Sequence, residues 1–267
     1  MKIFRAKPGS KIKLADLDPD GGPELASDKE TGVQQLEAIR ADISKLQRML
    51  YAEHRHRLLI ILQGLDGSGK DGTVRNVFSS LDPHGLRVVS FKGPTALELD
   101  HDYLWRIHRE VPAKGEIVVF NRSHYEDLIA VSVKGLAPKS VWEKRFDHIV
   151  NFERMLTDEG TTILKFFLHI SREEQRRRLQ ARLENPEKHW KFHPDDIADR
   201  KLWPDFIAAC EETMQRTSTE NAPWHIIPAN RKWYRNIAIA TTVRETLARL
   251  ELKFPPPAWN LNGVEIL

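Results

Sequence analysis

Between Glu30 and Glu53 apolar side chains recur at Val33, Leu36, Ile39, Ile43, Leu46 and Leu50, three and four residues apart. That period predicts a long amphipathic helix. The pattern then changes. Arg57–Gln63 is a short apolar run bounded by a glycine-rich turn, which predicts a strand buried on both faces of a parallel sheet. Leu86–Phe91, Glu116–Phe120, Ile163–Ile170 and Trp224–Pro228 read the same way. Helical periodicity fills the gaps, over Thr73–Leu81, Leu97–Glu110, Lys139–Asp158, Arg172–Glu184, Leu202–Arg216 and Trp233–Leu250. Strands alternating with helices predict an α/β chain built on one parallel sheet with helices on both faces. Residues 1–30 are rich in Pro, Gly, Asp and Lys and predict an irregular arm. The expected organisation is that arm followed by one domain over 31–267.

Composition narrows the picture. The chain has 267 residues, 40% apolar and 30% charged, with seven Trp and eleven Phe. That content excludes a disordered chain. One cysteine, Cys210, excludes an internal disulfide. The longest apolar runs are far shorter than the ~20 residues of a membrane helix, and the start lacks a secretory stretch. The expectation is a cytoplasmic protein without a membrane partner. The histidines show no zinc spacing. The net charge of +3 says little until its distribution is seen.

The first strand runs into Gly64-Leu65-Asp66-Gly67-Ser68-Gly69-Lys70-Asp71-Gly72-Thr73. This fits G-x-x-x-x-G-K, with the strand before and the helix after that the motif requires. Glycines let backbone N–H groups close around an anion at the positive end of a helix, and Lys70 adds a point charge. Gly67, Gly69, Lys70, Asp71, Gly72 and Thr73 are therefore expected to bind phosphate. Asp71 stands where a magnesium-binding Ser or Thr is usual. Asp66 inside the loop would repel polyphosphate unless a cation intervened, so it reads as a magnesium ligand. A chance glycine-rich turn is the bland alternative.

Two other segments carry chemistry. Ile117–Phe120 leads into Asn121-Arg122-Ser123-His124-Tyr125-Glu126-Asp127, which should face the phosphate loop beyond the strand ends. Arg122 can pair bidentately with phosphate. Glu126 and Asp127 could hold metal or orient an acceptor, although Ser123 and Glu126 also match a capping box. Between Arg172 and Lys191 seven Lys/Arg face four Glu, a local balance of +3. Arg178 and Arg182 share a helix face, and Lys188, Trp190 and Lys191 follow a break at Asn185-Pro186. This is where a nucleotide kinase places a lid, here about 171–200; a solvated charged helix is the alternative. Lys232 and Arg235 follow the last strand and face either the loop or solvent.

Together, Gly64-x-Asp66-x-x-Gly69-Lys70-x-Gly72, Lys92-Gly93-Pro94-Thr95, Tyr103-Leu104-Trp105-Arg106, Phe120–Asp127, Asn185-Pro186-x-Lys188-x-Trp190-Lys191 and Pro228-Ala229-Asn230-x-Lys232-Trp233-Tyr234-Arg235 resemble the family-2 polyphosphate kinases. The match runs from about residue 30 to 250. It implies a three-layer α/β/α P-loop kinase fold, thymidylate-kinase-like, with a helical lid. It also implies reversible phosphoryl transfer between inorganic polyphosphate and nucleotides. The Asn-Arg-Ser-His-Tyr-Glu-Asp form is similar to the subgroup that phosphorylates both nucleoside mono- and diphosphates. The resemblance implies metal and phosphate roles for Asp66 and Lys70, and nucleotide or phosphate contact for Asn121 and Arg122. Asp66, Lys70, Arg122 and Arg178 are the expected catalytic residues. Arg182, Lys188, Lys191, Lys232 and Arg235 join the loop in binding phosphate. Pro94, Thr95, Glu98, Trp105, Arg106 and Glu126 complete the expected nucleotide site. Magnesium, with manganese as the alternative ion, would sit at Asp66 with Asp127 as second ligand. The expected partners are polyphosphate and purine nucleotides in a homo-oligomer, dimer or tetramer, and no nucleic acid. An ATP-dependent nucleoside monophosphate kinase and a non-catalytic nucleotide- or polyphosphate-binding regulator are the rival readings.

Overall fold

The computed structural model describes residues 3–260 except Pro23, Ser27 and His193, together with Asn262 and Ile266. In chain order the strands are β1 (Phe4–Arg5), β2 (Arg57–Gln63), β3 (Leu86–Ser90), β4 (Ile117–Asn121), β5 (Thr161–His169) and β6 (Trp224–Pro228). The helices are α1 (Lys29–Glu53), α2 (Lys70–Phe78), α3 (Ala96–Leu99), α4 (Trp105–His108), α5 (Glu126–Lys134), α6 (Lys139–Trp142), α7 (Arg145–Asp158), α8 (Arg172–Leu183), α9 (Pro194–Lys201), α10 (Trp203–Thr217) and α11 (Lys232–Arg249). The sheet order is β1-β6-β5-β2-β4-β3, with β2 through β6 parallel.

β2 lies between β4 and β5 and is covered on both faces. Leu58, Ile60 and Leu62 pack with α1, α2 and α11, whereas Leu59 and Ile61 face α5, α7 and α10. The period of two across a continuous apolar run thus feeds two cores, and the result is three layers, helix on sheet on helix. Gly32 of α1 admits Trp233 and Ile237 of α11 where a Cβ would collide with them.

Three expectations need correction. The sheet is not wholly parallel, because β1 adds an antiparallel edge strand on β6. β1 comes from the N-terminal arm, and two residues are too short to show a period. The arm itself is strapped to the body: Ser218 donates to the Ala6 carbonyl at 2.7 Å, Glu211 accepts from Leu14 N–H at 2.6 Å, and Asn230 N–H reaches the Pro19 carbonyl at 3.0 Å. Leu97–Glu110 is two single turns, α3 and α4. The Asp102 side chain accepts from the N–H groups of Leu104 and Trp105, a local bond that competes with a continuous helix. Lys139–Asp158 divides likewise into α6 and α7.

Ile60 is wholly buried in the central strand. Ile60→Ala should lower unfolding free energy by about 2–5 kcal/mol through lost transfer energy and a cavity. A denaturant midpoint unchanged from that of the parent would contradict this account of the core.

Candidate active site around the phosphate loop

The loop between β2 and α2 turns on glycines at positive φ: Gly64 at 149°, Gly67 at 79° and Gly69 at 100°. Gly69 has a second constraint, since a Cβ there would overlap the Arg235 guanidinium. α2 begins at Lys70, so its unpaired N–H groups face the loop's interior. Lys70 is nearly buried and donates from Nζ to the Gly64 carbonyl at 2.6 Å. Burial, and then the Arg122 charge, push its ammonium below its ordinary range. Asp66 accepts from Arg122 Nη2 at 2.8 Å. Lys70 and Arg122 outweigh the burial of Asp66 and hold its carboxyl below the usual range. Arg122 itself occupies the left-handed region, φ 64°, with its N–H bonded to the Leu62 carbonyl of the central strand.

One cavity joins these groups. Gln63, Asp66, Lys70, Arg122, Glu126 and Gln175 line its polar end, and Leu65, Ile129, Ala130, Trp203, Phe206 and Cys210 its apolar end. Several of these were silent in the sequence. Ile129 and Ala130 lie three and four residues beyond Glu126, hence on its face of α5. Trp203, Phe206 and Cys210 share a stripe of α10 that reads as ordinary core. Burial pushes the Cys210 thiol well up, so it is no thiolate nucleophile.

The capping box at Ser123, the alternative reading of Glu126, does not form. α5 starts at Glu126, whose carboxylate accepts from Gln63 Nε2 at 3.1 Å and faces the cavity. A capping box forms instead at Thr95 and Glu98, where the two residues satisfy each other's backbone N–H groups at 3.3 and 2.7 Å. Arg106 donates to the Lys92 carbonyl at 2.9 Å and lies over Phe91. Trp105 is flanked by His101 and Arg109. Pro94, Thr95, Glu98, Trp105 and Arg106 are not among the residues lining the loop cavity. Asp127 is not among them either. Its carboxylate lies 3.4 Å from Arg145, and burial raises its pKa.

The arginine expected over the phosphates is committed elsewhere. Arg178 donates from Nε to Glu174 at 2.6 Å and from Nη1 to the carbonyls of Gly67 and Ser68 at 2.8 and 3.0 Å. Its Nη2 reaches the carbonyls of Ala229 and Asn230 at 2.6 and 2.8 Å. A guanidinium has five N–H donors, and these are five bonds. Arg235, almost fully buried, also donates to the Ser68 carbonyl, at 3.3 Å. Both arginines thus hold the loop's carbonyls. In a trans peptide C=O and N–H point oppositely, so fixing the Ser68 carbonyl on these guanidiniums points the Gly69 N–H away from them. Arg235 pairs with no carboxylate among the described residues, and burial followed by Arg178 pushes it below its ordinary range. Its charge adds to the positive potential under the loop.

The remaining expected phosphate contacts divide. Thr73 is buried and returns its hydroxyl to the Gly69 carbonyl at 3.2 Å. Gly72 backs onto Arg235. Asp71 accepts from Asn121 Nδ2 at 2.8 Å and pairs with Lys191 at 3.3 Å. That pair ties the helical segment after β5 to the loop. Arg182 pairs with Asp196 at 3.5 Å, while Lys188 and Lys232 are exposed. Asp199 of α9 closes on Lys134 of α5 at 2.7 Å, and both line the cavity.

A family model described as Polyphosphate kinase 2 matches residues 26–255. The chain is 52% identical over 257 residues to an AMP/ADP-polyphosphate phosphotransferase of Meiothermus ruber, covering 96% of each. It is 40% identical over 266 residues to an ADP-polyphosphate phosphotransferase of Rhodopseudomonas palustris, covering 95% of this chain and 92% of that protein. Its backbone matches the crystal structure of polyphosphate kinase 2 from Arthrobacter aurescens TC1 with TM-score 0.91 and 41% identity, over 97% of this chain and 95% of that one.

If Arg178 holds the loop rather than the phosphates, its removal must be felt without ligand. Arg178→Ala should cost about 3–5 kcal/mol in the ligand-free protein, because Glu174 and four carbonyls lose a buried partner. An arginine aimed only at substrate would leave the ligand-free melting temperature where it was.

Proposed function

The chain belongs to the polyphosphate kinase 2 family, and from that premise we propose how its phosphate loop works. The protein is a polyphosphate kinase that moves phosphoryl groups between polyphosphate and nucleotides. The acceptors we propose are AMP and ADP, in line with the name of the 52% identical relative. The observation that carries the site assignment is the gathering of Lys70 and Arg122 at one cavity, with Arg235 holding the loop beside them. Phosphoryl transfer needs positioning and charge stabilisation more than covalent chemistry.

In the proposed reaction a terminal phosphate oxygen of the nucleotide attacks, in line, the end phosphoryl of polyphosphate; the phosphoanhydride bond to the rest of the chain breaks and polyphosphate one residue shorter leaves with the bond's electron pair. That oxygen is ionised at neutral pH, so no strong general base is required. Lys70 and the loop N–H groups hold the transferring phosphoryl, and Arg122 swings its charge from Asp66 to the equatorial oxygens. Gln175, which donates to the Asp66 carbonyl at 2.9 Å, keeps the loop in register.

The donor set fits magnesium. Asp66 is an ionised carboxylate at the cavity, and no cluster of three His, Cys, Asp or Glu occurs among the described residues. Magnesium keeps several waters and takes one or two carboxylates plus substrate phosphates, which is the environment Asp66 offers. Asp66 would hold the ion, whose positive charge would offset the negative charge of the reacting phosphates. Among the described residues no helix is long and apolar enough to cross a membrane.

Purified protein given long-chain polyphosphate, magnesium and either AMP or ADP, with no other donor, should make ADP and ATP. Absence of both products would end this reading in favour of an ATP-dependent kinase or a non-catalytic binder. Asp66→Asn should reduce turnover on the order of 100-fold. Its melting temperature should hardly move, since a half-exposed ion pair contributes about 1 kcal/mol or less. Equal turnover in Asp66→Asn would remove Asp66 from the mechanism.

A further inference from the structure

Beneath the turn that carries Arg122 lies a charged network that the mechanism above does not use. Lys165 of β5 is fully buried, and its three donors are all taken. They reach Glu153 Oε2 of α7 at 2.7 Å, the Thr217 carbonyl at 2.7 Å and the Tyr125 hydroxyl at 2.9 Å. The Tyr125 hydroxyl in turn donates to Glu153 Oε1 at 2.7 Å. His124 Nε2 lies 3.4 Å from the same oxygen, with its ring edge-on to Phe152. Tyr125 packs edge-on to Trp224, which donates to Thr217 Oγ1 at 2.9 Å. Burial, and then Glu153, push the Tyr125 phenol well above its ordinary value, so it stays a donor.

A well-packed apolar group of similar volume would serve stability as well as this buried pair does, or better. What the pair adds is direction. Ser123, His124 and Tyr125 are wholly buried between two residues of the cavity, Arg122 before them and Glu126 after them. Arg122 sits at φ 64°, a backbone state that a non-glycine residue keeps only where its surroundings over-determine it. On one side its N–H is tied to Leu62 of β2. On the other, the polar anchor of the turn is the Tyr125 hydroxyl, held in both its hydrogen-bonding roles.

We propose that Tyr125 is a positioning residue for phosphoryl transfer. Anchored on the buried Glu153–Lys165 pair, it fixes the strained turn so that the Arg122 guanidinium meets the transferring phosphoryl. The inference rests on the role given to Arg122 above and extends it to a side chain that touches no substrate.

Tyr125→Phe removes one oxygen and keeps the ring against Trp224. In the full chain, assayed with polyphosphate, ADP and magnesium below the melting temperature, it should lower kcat roughly 10- to 100-fold. KM for both substrates should stay within about twofold. The double variant Tyr125→Phe with Arg122→Ala should be no slower than Arg122→Ala alone, because both changes remove the same contribution. A folded Tyr125→Phe enzyme with the parent kcat overturns the proposal, as do losses that multiply in the double variant. If Tyr125→Phe does not fold, His124→Gln, which loosens the same turn without touching Lys165, takes its place with the same two outcomes. Failure of the underlying reading looks different: Arg122→Ala would then keep the parent kcat.

Discussion

A peptide loop can cradle an anion only if its carbonyl oxygens are kept from facing that anion. Here two guanidiniums bind loop carbonyls and so fix which way those peptides turn. Arg178 takes the Gly67 and Ser68 carbonyls, and Arg235 takes Ser68 again. Both come from helices that follow strands on the same side of β2. β5 lies beside β2 and leads into α8, and β6 lies beside β5 and leads into α11. The strand order is thus what brings the two arginines under one loop. The left-handed Gly69 is the complement of that arrangement, because a side chain there would need the volume that Arg235 fills. Arg178 also grips Ala229 and Asn230 after β6, so loop geometry and the packing of two crossover connections depend on one another.

The electrostatics follow from which cations are neutralised. Along α8, Arg176 pairs with Glu173 and Arg177 with Glu174, both three residues apart. Arg182 faces Asp196 and Lys191 faces Asp71. The local excess of positive charge in Arg172–Lys191 is therefore mostly balanced within the helical segment or against the loop's edge. Lys70 and Arg122 line the cavity and Arg235 holds the loop beside it, three cations spread along the chain and gathered by the fold. Burial raises the effect of Lys70 and Arg235: a charge at a given distance acts more strongly where water is excluded. A polyanion answers those charges, and Asp66, whose carboxyl Lys70 and Arg122 hold below its usual range, shares the cavity with two further carboxylates, Glu126 and Asp199.

Much of the architecture could be read from periodicity. Five strands and the long helices announce themselves, because burial on two faces demands apolar runs and burial on one demands a stripe. β1 could not be read, since two residues carry no period. The division at Asp100–Leu104 was hidden too, because an Asp side chain competing for backbone N–H groups leaves apolar spacing intact; nothing in the structure explains the one at Glu143–Lys144. In the site, Asp66, Lys70, Arg122 and Glu126 were legible from the motif and do line one cavity. Their chemical roles rest on the proposed mechanism. Thr95, Glu98 and Arg106 read as nucleotide contacts, yet each is held by local partners.

Arg178 shows why the remainder lay beyond reach. Its spacing from Arg182 marks a shared helix face, and a basic face after a parallel strand points toward phosphate. Both statements hold, yet neither says which acceptors saturate the guanidinium. Four of its five acceptors are backbone carbonyls, from Gly67, Ser68, Ala229 and Asn230, and a carbonyl is chemically identical at every residue. Sequence patterns report side-chain chemistry; they cannot report which peptide groups lack partners after the elements close. The same holds for Lys165, a lone charge inside the apolar run Ile163–Ile170 that the pattern reads as a buried strand. Only when α7 lays Glu153 beside it, and the Ser123–Tyr125 turn adds a hydroxyl, does that lysine become a fully bonded centre of the fold. Residues that complete someone else's hydrogen bonds are therefore the ones a sequence conceals, and in this protein they are the ones that hold the phosphate loop and Arg122 in place.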